Sequence, residues 1–559
     1  MISKFSFAFF LFAGLQIGLS QETVVARQDM LRGSITPERE WWDLQHYHLS
    51  ISLDPVTKSI RGNNVVSFKA IAPGTKIQID LQQPLKINRV TCDGTELQYV
   101  REGNAYWVTF PREIPLGAFR KIVIHYGGTP VESRNPPWSG GFSWNKDAHG
   151  TDFIATSCQG IGASIWWPCK DHGYDEPDQG INISATVPME LTAVSNGRLK
   201  NTETDSKKMT RTFHWEVTQP INNYCVNLNV GDYVNFSEKM TGEGGELDLD
   251  YWVLKSDRQR AADQFLEAPR VIEAFEYWFG KYPFYEDSYK LVQVSYLGME
   301  HQSSVTYGNG FKNGYHGTDL SGTGVGMRFD FIIVHESGHE WFGNNISMKD
   351  VADMWIHESF TNYSENLFVE YFFTQKEAED YVIGCRRRVR NDVPIIGKYN
   401  QNKAGSGDMY YKGGNMLHTI RHIIDNDVKW RRILRGLNLT FWHQTVNTSQ
   451  IENYISKEAG IDLSKVFDQY LRTTNIPKLI YKIDGNNVAY RFDNVVEGFS
   501  MPLKVLVNGE LVLLTATTSD NTFQAATKIQ SFNVDRNFYL DVAADQPARV
   551  PEQVVDQHN

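Results

Sequence analysis

Positive charge is in short supply: 55 Lys and Arg stand against 66 Asp and Glu, a formal net charge of -11 over 559 residues. That balance sets the chain against nucleic acid and anionic membrane surfaces as partners. The few basic runs, Arg386-Arg387-Arg388 and Arg431-Arg432, are isolated and read as solvated helix faces. Cysteine is also scarce. The five present (Cys92, Cys158, Cys169, Cys225, Cys385) leave at least one unpaired by count, so disulfides do not organise the fold, although Cys158 and Cys169 are near enough in sequence to bridge. Their spacing is not that of a zinc finger. There is no low-complexity run and no fixed-period repeat, and 41% hydrophobic with 13% aromatic residues excludes a disordered chain. Beyond the first twenty residues no apolar stretch reaches the roughly 20 residues of a membrane span.

Those first twenty residues have the layout of a secretory signal peptide: Lys4, then the apolar run Phe5–Leu19, then small residues Gly18 and Ser20. The run is broken by Gly14, Gln16 and Gly18, which makes it a poor membrane anchor. The expectation is cleavage after Ser20 and an exported protein (periplasmic, extracellular or at a cell surface) with no integral membrane segment once the signal is removed. The length argues for about three packed units. From about Trp41 to Asn235 short runs alternate apolar and polar residues, as in His48–Leu53 and Lys121–His125, and predict an antiparallel β domain. Helical spacing takes over at Asp257–Phe279, Gly326–Phe342, Met354–Phe373, Gly413–Ile424 and Ile451–Leu471, a mostly α middle. After Ile476-Pro477 alternation returns, and the Asp484-Gly485 turn marks a hairpin. The predicted layout is a signal peptide 1–20, an N-terminal β domain 21–235, a catalytic α domain 236–475 and a small C-terminal β-sandwich 476–559, a multidomain α+β fold.

Chemistry concentrates in His335-Glu336-Ser337-Gly338-His339. On a helix, two histidines four residues apart project from one face and can reach one ion. A second predicted helix carries Glu358, nineteen residues beyond His339. Together they offer a His₂Glu set that holds one zinc ion per chain and leaves its fourth tetrahedral position open, the requirement for catalytic rather than structural zinc. Glu336 is placed to act as general base, taking a proton from the attacking water and passing it to the departing amine. Glu365, two turns after Glu358, can anchor a ligand imidazole or stand as an exposed helix acid. An oxyanion donor is also needed, and the Tyr410-Tyr411-Lys412-Gly413 segment offers phenols for it.

These residues resemble the aminopeptidase N family of gluzincin peptidases, which also includes leukotriene hydrolase. The likeness extends through Trp167-Pro168-Cys169-Lys170-Asp171, Asp175-Glu176-Pro177, Tyr282-Pro283-Phe284, Gly298-Met299-Glu300, Trp341-Phe342-Gly343-Asn344 and Trp355–Phe360, most of residues 40–475. It implies a thermolysin-like catalytic domain, with Tyr410 as the transition-state tyrosine and Tyr411 as support or core. It also implies that Glu300 binds the free α-amino group of a peptide substrate, with Gln159 as a second contact and Gly298 and Met299 along the peptide.

Three departures from the family pattern stand out. Leu297 occupies the place of the first glycine and His301 that of the asparagine in Gly-x-Met-Glu-Asn, so peptide register and pH dependence are expected to differ. The third-ligand segment reads His357-Glu358-Ser359-Phe360 instead of Asn-Glu-Gly-Phe. Many relatives continue into a large C-terminal helical domain, whereas this sequence stops after the small β domain, which predicts a more open cleft. The leading function is removal of N-terminal residues from peptides with a free N-terminus. Two alternatives remain: a gluzincin endopeptidase, which gives Glu300 no role, and a catalytically silent binding scaffold, which predicts a lost ligand or base. Oligomeric state and preferred side chain are not legible.

Overall fold

Alternation with a period of two runs through Trp42–Asp54, whose residues Leu44, Tyr47, Leu49, Ile51 and Leu53 are buried, as a strand with one covered face requires. It is a central strand of an eight-stranded sheet in a computed structural model that describes residues 27–545. The signal-peptide segment lies outside the described residues. Trp42–Asp54 pairs antiparallel with Ser59–Ala70 on one side and parallel with Ile181–Pro188 on the other, so the domain is not purely antiparallel. The parallel pair is possible because more than a hundred residues, including a three-stranded sheet (Gly74–Asp80, Ala105–Ile114, Gln98–Glu102), intervene to carry the crossover.

A five-stranded sheet begins the next unit, in the order Tyr233–Gly242, Gly245–Leu254, Tyr289–Gln293, Val305–Tyr307, Gly298–Met299. Gly298–Met299 is therefore an edge strand. Helices pack behind it, and three of the predicted ones are shorter or divided. Asp257–Phe279 resolves into Arg258–Gln264 and Glu267–Phe279. Ile451–Leu471 becomes Thr448–Ala459 and Ser464–Arg472, parted at Gly460, whose φ of 68° suits a glycine C-cap. Gly326–Phe342 shrinks to Phe331–Gly338 because the Asp330 side chain caps Ile332 and Ile333 N–H and so fixes the start. Trp355–Phe372 and Tyr411–Ile424 form close to where the periodicity places them.

The chain ends in a four-stranded and a three-stranded sheet between Lys478 and Ala544. Their apolar residues Leu479, Val488, Phe492 and Met501 share one core with Phe467 and Leu471 of the helical unit. A second core fills the N-terminal β domain and extends to Met299. All five cysteines are buried and free, so the Cys158–Cys169 bridge does not form; the Cys158 thiol donates to Tyr224 O instead. Among the described residues no helix is long and apolar enough to cross a membrane.

Candidate metal centre

Two helices hold the donors. Phe331–Gly338 carries His335 and Glu336, with His339 one residue past its end but still helical in backbone (φ -64°, ψ -20°). Trp355–Phe372 carries Glu358 and Glu365. The helices lie close because Gly338 faces Ser364: a Cβ there would come within 2.5 Å of the Ser364 hydroxyl. Phe342 and Phe360 stack at 4.4 Å between ring centroids beneath them, a contact worth about 1 kcal/mol beyond its area.

His335 Nδ1 donates to Glu365 Oε1 at 2.7 Å, and His339 Nδ1 donates to Phe342 O at 3.0 Å. Both imidazoles therefore turn Nε2 toward Glu358, whose Oε2 stands 3.8 Å from His335 Nε2 and 3.4 Å from His339 Nε2. That Oε2 is buried and has no hydrogen-bond partner. Tetrahedral ligands at roughly 2.0–2.2 Å from a zinc ion stand about 3.4 Å apart, so the orphaned oxygen and the two free Nε2 atoms fit one such ion. A second cluster, Glu300, Glu336 and His339, also converges. It fits less well, because Glu300 Oε1 already accepts from Tyr224 and Gln159.

Burial is the main cause that lifts the Glu336 carboxyl to about 7, with Glu300 adding to it and His335 and His339 opposing. Burial likewise opposes charge on Glu358, but His339 and His335 outweigh it and hold that carboxylate below its usual range. Tyr410 packs against His335 with ring centroids 6.0 Å apart. Burial, then the Glu358, Glu300 and Glu336 charges, push its phenol well above 10, so it is a neutral hydroxyl able to donate. Ser359 holds the backbone of the residue before this tyrosine: its Oγ donates to Met409 O at 2.7 Å, and the neighbouring Gly413 has no Cβ to obstruct it.

Glu300 is 3% exposed and held from three directions. Tyr224 OH donates to its Oε1 at 3.1 Å, Gln159 Nε2 donates to the same oxygen at 2.6 Å, and Asn344 Nδ2 donates to its backbone carbonyl at 3.0 Å. Gln159 Nε2 also donates to Glu358 Oε1 at 3.1 Å. The turn after Gln159 is fixed by Asp171, which accepts from Ala163 N, Ser164 N and Ser164 Oγ. Gly298 lets the edge strand lie on the histidine helix, since a Cβ there would meet Ile332 at 2.6 Å and Glu336 at 3.3 Å. His301 is fully buried beside Thr306, 3.2 Å away, and burial lowers its pKa to about 3. It is neutral across the physiological range and adds no charge to the site.

The nine residues assigned in the sequence to metal binding, catalysis or substrate contact, with Tyr411, line one cleft of about 600 Å³, while Glu365 stands behind His335 outside it. The sequence reading missed Tyr224 and His357, which lie behind Glu300 in a chain: Met348 N–H donates to His357 Nε2 at 2.8 Å, and His357 Nδ1 lies 3.4 Å from Tyr224 OH. It also misjudged the basic run. Arg386 bonds Asn415 and the carbonyls of Arg536 and Asn537, Arg387 bonds those of Asp319 and Leu320, and Arg388 faces the cleft. The run lies on a 3-10 turn folded against neighbouring loops, not on a free helix face. Tyr411, expected as support or core, packs against the helical core and also lines the cleft beside Tyr410.

A His₂Glu set on paired helices, with a carboxylate next to the first histidine, defines a gluzincin-type metal centre. The family profile for the peptidase M1 N-terminal domain matches residues 44–225 and that for the peptidase family M1 domain matches residues 265–470; the chain belongs to the M1 peptidase family. It is 22% identical over 517 residues to "Probable aminopeptidase 1" of Sulfurisphaera tokodaii, covering 88% of this chain and 62% of that protein. To aminopeptidase N of Lactococcus lactis it is 24% identical, covering 78% of this chain and 51% of the relative. The chain thus spans about half to three-fifths of the length of these relatives. In fold it is similar to an M1 zinc metallopeptidase mutant from Deinococcus radiodurans bound to a Tyr-Ser-Ala substrate, with a TM-score of 0.66 at 19% identity, covering 79% of this chain and 96% of that one.

Proposed function

We propose that this protein is an exported zinc-dependent aminopeptidase that removes N-terminal residues from peptides. The observation that carries the reading is Glu300, a buried carboxylate clamped by Tyr224 and Gln159 beside the His335, His339 and Glu358 donors. A carboxylate fixed there pairs with an α-ammonium only when the scissile carbonyl belongs to the first residue. An endopeptidase gives such a group no task, and a silent scaffold has no reason to keep base, donors and tyrosine together.

His335, His339 and Glu358 would hold one zinc ion, which when bound supplies Lewis-acid polarisation of the carbonyl and acidifies water. Glu336 takes the proton of the attacking water on its carboxylate and returns it to the departing amine. The neutral Tyr410 phenol donates to the developing oxyanion. Gln159, with its Nε2 tied to two carboxylates, leaves its Oε1 to accept from the substrate ammonium. Gly298 and Met299, on an edge strand, offer backbone groups to an extended peptide.

Around this chemistry we place domains at 21–235, 236–475 and 476–559, the first boundary falling within the strand Tyr233–Gly242 that opens the second unit, the last domain a β-sandwich formed by the two terminal sheets and the middle one thermolysin-like. Lys4 and the apolar run behind it support residues 1–20 as a cleaved signal. The test is hydrolysis of a panel of aminoacyl anilides by zinc-analysed protein, wild type against Glu336→Gln and Glu300→Ala. Cleavage by wild type, a loss of about 10²–10⁴-fold in Glu336→Gln with zinc retained, and a strong loss in Glu300→Ala are expected. Cleavage of N-acetylated peptides but no anilide would overturn the assignment in favour of an endopeptidase.

A further inference from the structure

The cleft is polarised. It is lined by the carboxylates Glu300, Glu336 and Glu358 and also by Arg388 and Arg390, with Tyr315 and Tyr411, and the Tyr411 and Tyr410 rings, 6.4 Å apart, stand between Arg388 and His335. Arg388 is held in place: its Nε donates to Leu320 O at 3.0 Å and its guanidinium lies 5.9 Å from the Tyr411 ring centroid. That is its one hydrogen bond among the described residues, so both terminal nitrogens are free of protein partners. Leu320 O does not depend on it, because Arg387 donates to the same carbonyl through Nε and Nη2. The loop carrying Arg390 is pinned by Asp408, which accepts from Arg390 N and Asn391 N. Neither arginine forms an ion pair among the described residues, although this chain is acidic overall.

The edge strand Gly298–Met299 lines the cleft beside Glu300. From Glu300 it runs back through Met299 and Gly298 to Leu297, against Ile332 and Glu336. Tyr315 lines the same cleft, its ring 5.5 Å from that of Phe331, which itself stacks on His335 at 5.2 Å. A peptide whose ammonium is on Glu300 and whose backbone follows this edge carries its leaving-side residues toward Tyr315 and Arg388. We propose that Arg388, seconded by Arg390, receives a carboxylate from the substrate beyond the scissile bond. The enzyme then favours short peptides ending in a free carboxylate, or peptides with Asp or Glu at that position. Arg suits the task, since its planar fork takes a carboxylate by two parallel hydrogen bonds.

This inference rests on the aminopeptidase reading and is tested on the zinc-loaded full chain with Leu-Ala-Ala as free acid and as C-terminal amide, and with Leu-Ala-Glu amide. The readout is the ratio of kcat/KM for a carboxylate-bearing peptide to that for Leu-Ala-Ala amide. In wild type the ratio should be on the order of 10- to 100-fold. It should collapse toward one in Arg388→Met and recover in part in Arg388→Lys. Preference for the free acid assigns the site to the peptide C-terminus, and preference for Leu-Ala-Glu amide assigns it to an acidic side chain. A wild-type ratio near one, or a ratio that survives in Arg388→Met while both rates fall together, overturns the proposal. Calorimetric binding of the same peptides to Glu336→Gln and to its Arg388→Met double variant needs no turnover. If wild type cleaves nothing yet the binding preference vanishes with Arg388, the aminopeptidase reading fails and the carboxylate site stands.

Discussion

Glu365 holds His335 from behind: Oε1 accepts from the imidazole Nδ1 at 2.7 Å, while Oε2 accepts from Tyr381 OH at 2.6 Å. Asn362 Nδ2 adds a third bond at 3.2 Å. A carboxylate so fully bonded fixes the tautomer and the orientation of the ring it faces. Partners of this kind typically account for 10–100-fold in metal affinity. Glu365→Gln should therefore weaken zinc binding by about that factor, measured by competition with a chelator of known affinity, while the protein keeps its folded circular dichroism. An unchanged affinity would mean that His335 is oriented by packing alone.

His335, Glu336, His339 and Glu358 were legible because the spacing of metal donors on two helices is a local property of sequence. Glu365 was half legible, since helical period puts it on the face of Glu358 but does not say what it meets. Tyr224 and His357 were not. Tyr224 belongs to the β domain and reaches Glu300 across 76 positions of sequence, and nothing in a run of Asn-Asn-Tyr-Cys marks one phenol for that contact. The Arg386–Arg388 run misled for the opposite reason. Composition alone assigns a basic triplet to a solvated helix face, whereas carbonyls at Asp319, Leu320, Arg536 and Asn537, contributed by distant loops, tie down the guanidinia of Arg386 and Arg387, of which only Arg387 stays exposed. Helix ends failed where a single polar side chain decides, as Asp330 does.

Tyr224 acts on the reaction only through Glu300, and this separates it from a residue of the core. Removing its hydroxyl in Tyr224→Phe leaves the ring in place but takes one of two bonds from a buried carboxylate. Hydrogen bonds to charged groups are worth roughly 1.5–3 kcal/mol, so kcat/KM for substrates with a free α-amino group should fall about 10- to 100-fold, mostly through KM. In a Glu300→Ala background the same substitution should add little, because the group it positions is gone. Additive losses in the double variant, measured on one aminoacyl anilide, would show that Tyr224 supports the fold rather than the anchor.

His301 tests how burial couples to acid stability. Its ring is enclosed, Nδ1 lies 3.2 Å from Thr306 Oγ1, and Nε2 is without a partner. Burial drops its pKa from 6.5 to about 3. The unfolded chain therefore binds a proton at this residue well before the folded one does. The stability associated with its neutral form is fully present above about 6.5 and is lost as pH falls toward 3. Between those limits one such group changes stability by up to about 1.4 kcal/mol per pH unit. His443, which burial brings to about 4, acts in the same sense. Glu176 and Glu267, both raised to about 7 mainly by burial, act in the opposite sense, because the folded state binds their protons first as pH falls from 7 toward 4.5. The slope of wild-type Tm with pH is thus a sum of opposing contributions, and the informative quantity is the difference between proteins. His301→Asn deletes one proton site without touching the others, so its Tm should fall less steeply than that of wild type between pH 6.5 and 4, measured by calorimetry at one scan rate. Parallel slopes would mean that the ring is protonated, or exposed, in the folded protein.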